Sequence, residues 1–467
     1  MDDSDLVKNH RFFCSYCRKE VLDSIGGSIC EKCQLILAHY DPSQATLQYF
    51  QDTLLLSNQA QILEDLEQEF GVIPFLEPRN FLSGDQIFGF YAQENQITGL
   101  ALDDLDLGSF NVQALLLPEL RYLSLKNNMI ESIPEALVQL RHLEVLDLTK
   151  NRLSHLDPAV RQVQTLQHLM LADNRIRFLP SDFGRLFNLK TLHLRWNQLK
   201  TLPSSVDQLF SLETLNVAQN RLISLPEALG SLVNLRTLNL YGNQLTNLPS
   251  SLTNLRMLER LVLKGNKLVT LPSSLVLPSL KELDLEENLL PSLPDSLGEC
   301  LSLEKAVFAM NQLTALPPSI CSLRDLNYLD VRENNLSSLP PLPSSLEVVD
   351  GSYNKFQTFP QPIIALTNLR ELTLSANSLR RIPPELAELT NLRILALASN
   401  LLHEVPDISP LELLTQLYLN DNHLMEPPTF LNSLPSLTVL LLDGNRFDYQ
   451  GLQPSPDDQS DLDSLFA

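Results

Sequence analysis

The stretch Leu189-Lys-Thr-Leu-His-Leu-Arg-Trp-Asn197-Gln-Leu-Lys-Thr-Leu-Pro203 sets the terms for the whole chain. Leu189, Leu192 and Leu194 alternate with solvent-compatible residues, the period of a short strand with one buried face. Asn197 breaks the alternation, and Leu199, Leu202 and Pro203 follow. The same order recurs around Asn128, Asn151, Asn174, Asn220, Asn243, Asn266, Asn288, Asn311, Asn334, Asn354, Asn377, Asn400, Asn422 and Asn445, almost always 23 residues apart. Six residues of strand cannot bury a core by themselves. The copies must therefore stack, with every leucine against its equivalents and each repeat touching only its neighbours. An asparagine placed where the chain leaves the sheet offers donors and an acceptor to backbone groups that would otherwise stay unpaired. The Leu-Pro step then stops the strand, because proline has no backbone N–H to donate.

From residue 97 to 447 the pattern L-x-x-L-x-L-x-x-N-x-L-x-x-L-P resembles that of leucine-rich repeat proteins. The resemblance implies an α/β solenoid, a leucine-rich repeat horseshoe with a parallel β-sheet on its concave face. The LPxxLxxLxxL body is similar to cytosolic repeat proteins such as the plant intracellular Ras-group family and the leucine-rich scaffold of the Ras–Raf pathway. Between Asn334 and Asn354 the spacing falls to 20 residues, and Leu339-Pro340-Pro341-Leu342-Pro343 replaces the usual convex segment. This repeat resembles those of bacterial secreted effectors, and a local change of curvature is expected there. At the start of the array Ile97, Leu100, Leu102, Leu105 and Leu107 read as a degenerate first repeat with Leu105 at the asparagine position.

Outside the array the chain changes character. Residues 1–40 contain Cys14-Ser-Tyr-Cys17 and Cys30-Glu-Lys-Cys33, two C-x-x-C knuckles whose four thiolates suit one closed tetrahedral site, as in a zinc ribbon. One structural Zn2+ per chain is expected on Cys14, Cys17, Cys30 and Cys33. The alternative is two redox disulfides or a chance pairing of cysteines. Residues 41–96 read as an amino-terminal cap. Ile62, Leu63, Leu66 and Phe70 share a helical face, Ser57 or Asn58 is available as an N-cap, and Gly71 ends the run. Ile87, Phe88, Phe90 and Tyr91 precede a turn centred on Asn95, a hairpin expected to close the first edge of the sheet. The solenoid itself spans 97–450 with about 15–16 repeats, and 451–467 is an acidic, solubilising tail. Cys300 falls at a core position of the repeat, and Cys321 stands beside one.

The net charge of −22 argues against a nucleic-acid backbone as the main ligand. The sequence contains neither a leader-like apolar stretch at its start nor a run long enough to span a bilayer, and a cytoplasmic location is expected. P-loop, H-E-x-x-H and G-x-S-x-G motifs are absent from the sequence, so no enzyme is expected.

Function is then expected on the strand positions between the leucines, which face the inner side of the array. His168, His193, Arg195, Trp196, Tyr241, Arg260 and Lys264 form a basic and aromatic group, followed in sequence by Glu282, Asp284, Glu286 and Glu287, and later by Asp330 and Glu333. Trp196 is the only tryptophan, and tryptophan, tyrosine and arginine are enriched at binding hot spots. The reading is a scaffold or adaptor that takes a protein partner on its concave face. Two alternatives stay open: a regulator of a small GTPase or ubiquitin-related effector, and nucleic-acid binding through the zinc ribbon.

Overall fold

The computed structural model describes residues 12–13, 20–21, 47–82, 85, 87–110 and 112–447. Cys14, Cys17, Cys30, Cys33 and the acidic tail lie outside the described residues. The chain divides into two compact units, 1–268 and 269–467.

In the first unit β1 (Phe12–Phe13) pairs antiparallel with β2 (Glu20–Val21). A second hairpin, β3 (Leu47–Phe50) with β4 (Thr53–Leu56), leads directly into helix α1 (Ser57–Phe70). The helix buries Ile62, Leu63 and Leu66, as its spacing predicts, and Gly71 ends it with φ 90°. Neither Ser57 nor Asn58 caps it. Leu56 occupies the N-cap position with no side-chain hydrogen bond, and its N–H donates to the Asn95 carbonyl at 2.9 Å. The start of the helix is thus fixed by the strand that feeds it. Buried Gln59 accepts the Ile97 N–H at 2.6 Å, tying α1 to the first repeat.

The predicted capping hairpin is β5 (Phe88–Gln93) against β6 (Gln96–Leu102), antiparallel, turning through Glu94 and Asn95 at φ 52° and 60°. Two successive left-handed residues match the twist that a two-residue hairpin demands. From β6 onward the sheet is parallel: β7 (Tyr122–Ser124), β8 (Val145–Asp147), β9 (His168–Met170), β10 (Thr191–His193), β11 (Thr214–Asn216), β12 (Thr237–Asn239) and β13 (Arg260–Val262). Behind it the leucines form columns. Leu189, Leu194 and Leu199 are fully buried, and burying each such side chain stabilises the fold by roughly 1.5–3 kcal/mol relative to exposure.

The second unit repeats the plan with β14 (Glu282–Asp284), β15 (Lys305–Val307), β16 (Tyr328–Asp330), β17 (Val348–Asp350), β18 (Glu371–Thr373), β19 (Ile394–Ala396), β20 (Gln416–Tyr418) and β21 (Val439–Leu441), all parallel. The 20-residue repeat keeps β16 and β17 in register, and Asn354 still serves it: its Oδ1 accepts the Leu336 N–H at 3.0 Å and its Nδ2 donates to the Val331 carbonyl at 2.9 Å.

The asparagine ladder follows the expected logic. Asn220 donates through Nδ2 to the carbonyls of Leu194 (2.9 Å) in the preceding repeat and of Val217 and Ala218 (both 3.1 Å) in its own, while Oδ1 accepts the Leu199 N–H at 2.9 Å. At the degenerate start, Asn128 reaches back to the N–H groups of Leu105 and Leu107 at 3.1 and 2.9 Å.

The α half of the expected α/β solenoid needs correction. The convex segments are short 3-10 helices, such as Ser204–Gln208, Glu227–Ser231 and Ser250–Asn254 in the first unit and Asp295–Glu299 and Pro318–Ser322 in the second. Among the described residues α1 is the only α-helix. A 23-residue repeat has few residues for its return path. A 3-10 helix, rising about 2.0 Å per residue against 1.5 Å, covers the distance with fewer of them. The preceding prolines, Pro203, Pro226, Pro249, Pro294 and Pro317, hold the entry extended with ψ between 138° and 153°.

Candidate functional site

Each strand brings alternate side chains to the inner face, and the residue before each ladder asparagine is left-handed. Trp196 has φ 57°, Glu287 58°, Glu333 53° and Tyr353 52°, whereas Gly242, Gly265 and Gly444 fill the same position elsewhere. The left-handed residue swings the chain off the sheet so that the asparagine turns inward. The residue itself is left facing solvent, at a cost of about 1–2 kcal/mol for a side chain with a Cβ. Tryptophan in that conformation is unusual.

In the first unit His168 and His193 lie half-buried on β9 and β10. Burial pushes both imidazoles below their usual range. The Lys190 charge adds to the effect at His168, and Asp147 opposes it at His193. Asp147, on β8, is itself pushed up by burial although its Oδ1 accepts the Thr149 N–H at 2.8 Å. Beyond them Trp196 is 52% exposed, with the Arg195 guanidinium 5.8 Å from its ring centroid. Arg195 and Arg260 are exposed, and Tyr241 and Lys264 are half-buried. The strand members of this group, His168 on β9, His193 on β10 and Arg260 on β13, therefore share one face of one unit, and Arg195, Trp196, Tyr241 and Lys264 follow in the turns just beyond the strands. Beside the strand starts runs an open cleft of about 390 Å³ lined by residues including His142, Glu144, Gln167 and Lys190.

In the second unit Glu282 and Asp284 are half-buried and Glu287 is exposed, but Glu286 and Asp330 are buried. The expectation of an exposed acidic row fails for these two. The reason is Arg332, whose guanidinium lies 3.0 Å from Glu286 and 3.5 Å from Asp330. Lys305 pairs with Glu282 at 3.5 Å and sits 5.4 Å from the Tyr328 ring centroid. Asp330 is pushed up to about 6, chiefly by burial, with Asp350 and Glu286 adding to it and Arg332 opposing. Arg332, Lys305 and Tyr328 escaped the sequence reading because it followed blocks of like charge. Reading every repeat at the same register position would have found them.

Models of the leucine-rich repeat match residues 95–153, 141–199, 164–222 and 367–424, and a two-copy leucine-rich repeat model matches 211–254. A solved leucine-rich repeat protein of Leptospira interrogans is 31% identical, covering 76% of this chain and 97% of its own, with a TM-score of 0.65. The chain belongs to the leucine-rich repeat family. Also similar is the leucine-rich repeat ectodomain of the Arabidopsis thaliana receptor kinase GASSHO1/SCHENGEN3, solved in complex with CASPARIAN STRIP INTEGRITY FACTOR 2. It is 29% identical and covers 72% of this chain and 46% of its own, with a TM-score of 0.58. The leucine-rich effector YopM of Yersinia pestis is 26% identical over 83% of this chain and 88% of its own, with a TM-score of 0.50. Leucine-rich repeat arrays are generally protein-interaction modules and typically not enzymes. Among the described residues of this leucine-rich repeat protein, no three His, Cys, Asp or Glu side chains group as metal ligands.

Proposed function

We propose that the chain is a non-enzymatic adaptor that docks a protein partner on the inner faces of its repeats. The observation that carries the reading is Trp196: the sole tryptophan stands half out of the surface on a left-handed backbone, beside Arg195. Neither the core nor the ladder uses its indole, and an exposed aromatic with a flanking guanidinium is the composition of a binding hot spot. The Arabidopsis relative's complex with its factor supports a protein ligand for this array too. The test is capture of interacting proteins by the parent chain and by Trp196→Ala and Tyr241→Ala. A partner retained by the parent and lost by both folded variants is expected. Equal retention would move the site away from this face. Scaffold function in the cytoplasm, toward a small GTPase or another signalling protein, is the version of this reading that the 23-residue cytosolic-type repeats favour. The buried thiol of Cys300, which accepts the Leu277 N–H at 3.3 Å, is consistent with a reducing compartment.

The amino-terminal module supplies a second element of the proposal. The pairing of Phe12 with Val21 and Phe13 with Glu20 brings together the two chain segments that flank Cys14 and Cys17. Four thiols in two C-x-x-C pairs are a donor set suited to zinc. Cys14, Cys17, Cys30 and Cys33 would hold one Zn2+, which supplies folding energy to a segment with too little apolar area of its own. Metal analysis of protein prepared without chelator should find one zinc per chain. Cys17→Ser or Cys30→Ser should lose it while the repeat array melts as before. Metal-free parent protein would end this part of the account.

A further inference from the structure

A row of side chains along the first unit serves neither the core nor the inner face. Leu140, Val163, Leu186, Leu209, Leu232 and Leu255 close the 3-10 helices of six successive repeats, and all six are buried. The residue after each is turned out to solvent. In order these are Arg141, Gln164, Phe187, Phe210, Val233 and Arg256, every one of them exposed. Phe187 is 41%, Phe210 57% and Val233 52% exposed, and Met257, one residue past Arg256, is 41% exposed. The repeat does not demand apolar residues here. After Leu323, Leu366 and Leu389, which close the same helices in the second unit, stand Arg324, Thr367 and Thr390. Single exposed apolar residues are ordinary, but a contiguous row that includes two aromatic rings marks an interaction surface. Its backbone is held in register: Asn188 Nδ2 donates to the Gln164 carbonyl at 2.9 Å, and Asn234 Nδ2 to the Phe210 carbonyl at 2.7 Å. Alongside it runs the open cleft lined by residues including His142, Asn188, Lys190 and Ser211.

Charge on this flank runs against that of the chain, which is −22 overall. Arg141, Lys190 and Arg256 are exposed and form no ion pair among the described residues. Carboxylates at the neighbouring strand starts are mostly held already: Glu144 pairs with Arg121 and Glu259 with Arg236, each at 2.6 Å, and Glu119 lies 3.8 Å from His142. Glu213 is the exposed carboxylate left to face the three cations. We propose that the row from Arg141 to Arg256 is a second docking surface, which seats an amphipathic α-helix of a protein partner, apolar on one face and acidic along its flanks. Stacked strands lie about 5 Å apart, and side chains three or four residues apart on a helix are separated by about 5–6 Å. One helix along the row therefore sets an apolar residue against Phe187, Phe210 and Val233 in turn, the pattern of a helix laid on an apolar strip. Six repeats span about 25 Å at that spacing, the length of about 17 helical residues. Carboxylates at its ends meet Arg141 and Arg256, and those on its side meet Lys190. The row precedes the strands, whereas Trp196 follows the end of β10, so this surface is separate from the inner-face reading and gives an adaptor a place for a second protein.

The probe is a fluorescent synthetic helix of about 17 residues, leucine on one face and glutamate on the other, titrated into the full chain; its counterpart carries lysine for every glutamate. Saturable binding of the leucine–glutamate peptide with a gain in helical circular dichroism is expected, despite the net charge of the chain. Phe210→Ala should weaken it at least fivefold, and Arg256→Glu several-fold at low salt with little difference at high salt. Phe178→Ala, at a 61% exposed phenylalanine outside the row, should change it less than twofold. All three variants should melt with the parent. No binding of the leucine–glutamate peptide, or equal weakening by Phe178→Ala and Phe210→Ala, would overturn the surface. Phe210→Ala weakening the lysine peptide as much as the glutamate peptide would overturn the acidic assignment. Self-association of the parent that Phe210→Ala abolishes would give the row to a second copy of the chain and overturn the helix.

Discussion

At the scale of single residues, the ladder asparagines carry more than their polarity suggests. Asn220 satisfies backbone groups of two repeats at once from a site that is nearly closed to water. Removing its amide leaves buried donors and acceptors unpaired, which costs roughly 1–3 kcal/mol. Asn220→Ala should lower the free energy of unfolding by that amount, and with it the denaturation midpoint, while Asn432→Ala, at an exposed convex position, should leave the midpoint unchanged. Equal midpoints would refute the ladder's role. Asp330 makes a second prediction, through pH. Its folded value near 6 exceeds the value of about 3.9 expected in an unfolded chain, so the folded state binds the proton more tightly. The stability it contributes is complete below about pH 4 and falls as pH rises through 6. Denaturation midpoints of the parent should therefore drop more steeply between pH 4 and 7 than those of Asp330→Asn; parallel curves would contradict the assignment.

At the scale of elements, the strands were legible in full and the return path only in part. Alternating leucines and a recurring asparagine specify strand, turn and stacking, because burial and backbone pairing leave few other arrangements. The 23-residue period and its prolines disfavour a true convex helix, but they do not by themselves specify the 3-10 form that the return path takes. The start of α1 was misread for a related reason: Ser57 and Asn58 are good caps, but the β4 tether places Leu56 there. The close stacking of 3-10 segments also left a mark that can be recognised only in the structure. A Cβ at Gly230 would lie 2.3 Å from the Ser251 carbonyl oxygen and 2.5 Å from the Ser251 Cβ in the next convex turn. Gly230→Ala should destabilise by about 1–3 kcal/mol through this overlap. Gly108→Ala, with nothing within 4 Å, should not. Thermal melts of both variants distinguish a packing constraint from a mere preference for glycine.

At the scale of the molecule, the sequence identifies a surface more readily than a site. The inner positions follow from strand period alone, and His168 and His193 stand on neighbouring strands in that register, with Arg195, Trp196 and Tyr241 in the turns that follow. What the period cannot reveal is which charges neutralise one another. Glu286 looked free and is covered by Arg332. The single tryptophan turns this account into a direct optical measurement. Once a partner is in hand, intrinsic emission excited at the indole band reports Trp196 alone in this chain. Titration with a partner lacking tryptophan should shift that emission to the blue in proportion to occupancy, as the half-exposed indole is covered. Saturable binding with unchanged tryptophan emission would place the partner elsewhere and contradict the claim that the first unit's inner face is where this protein is engaged.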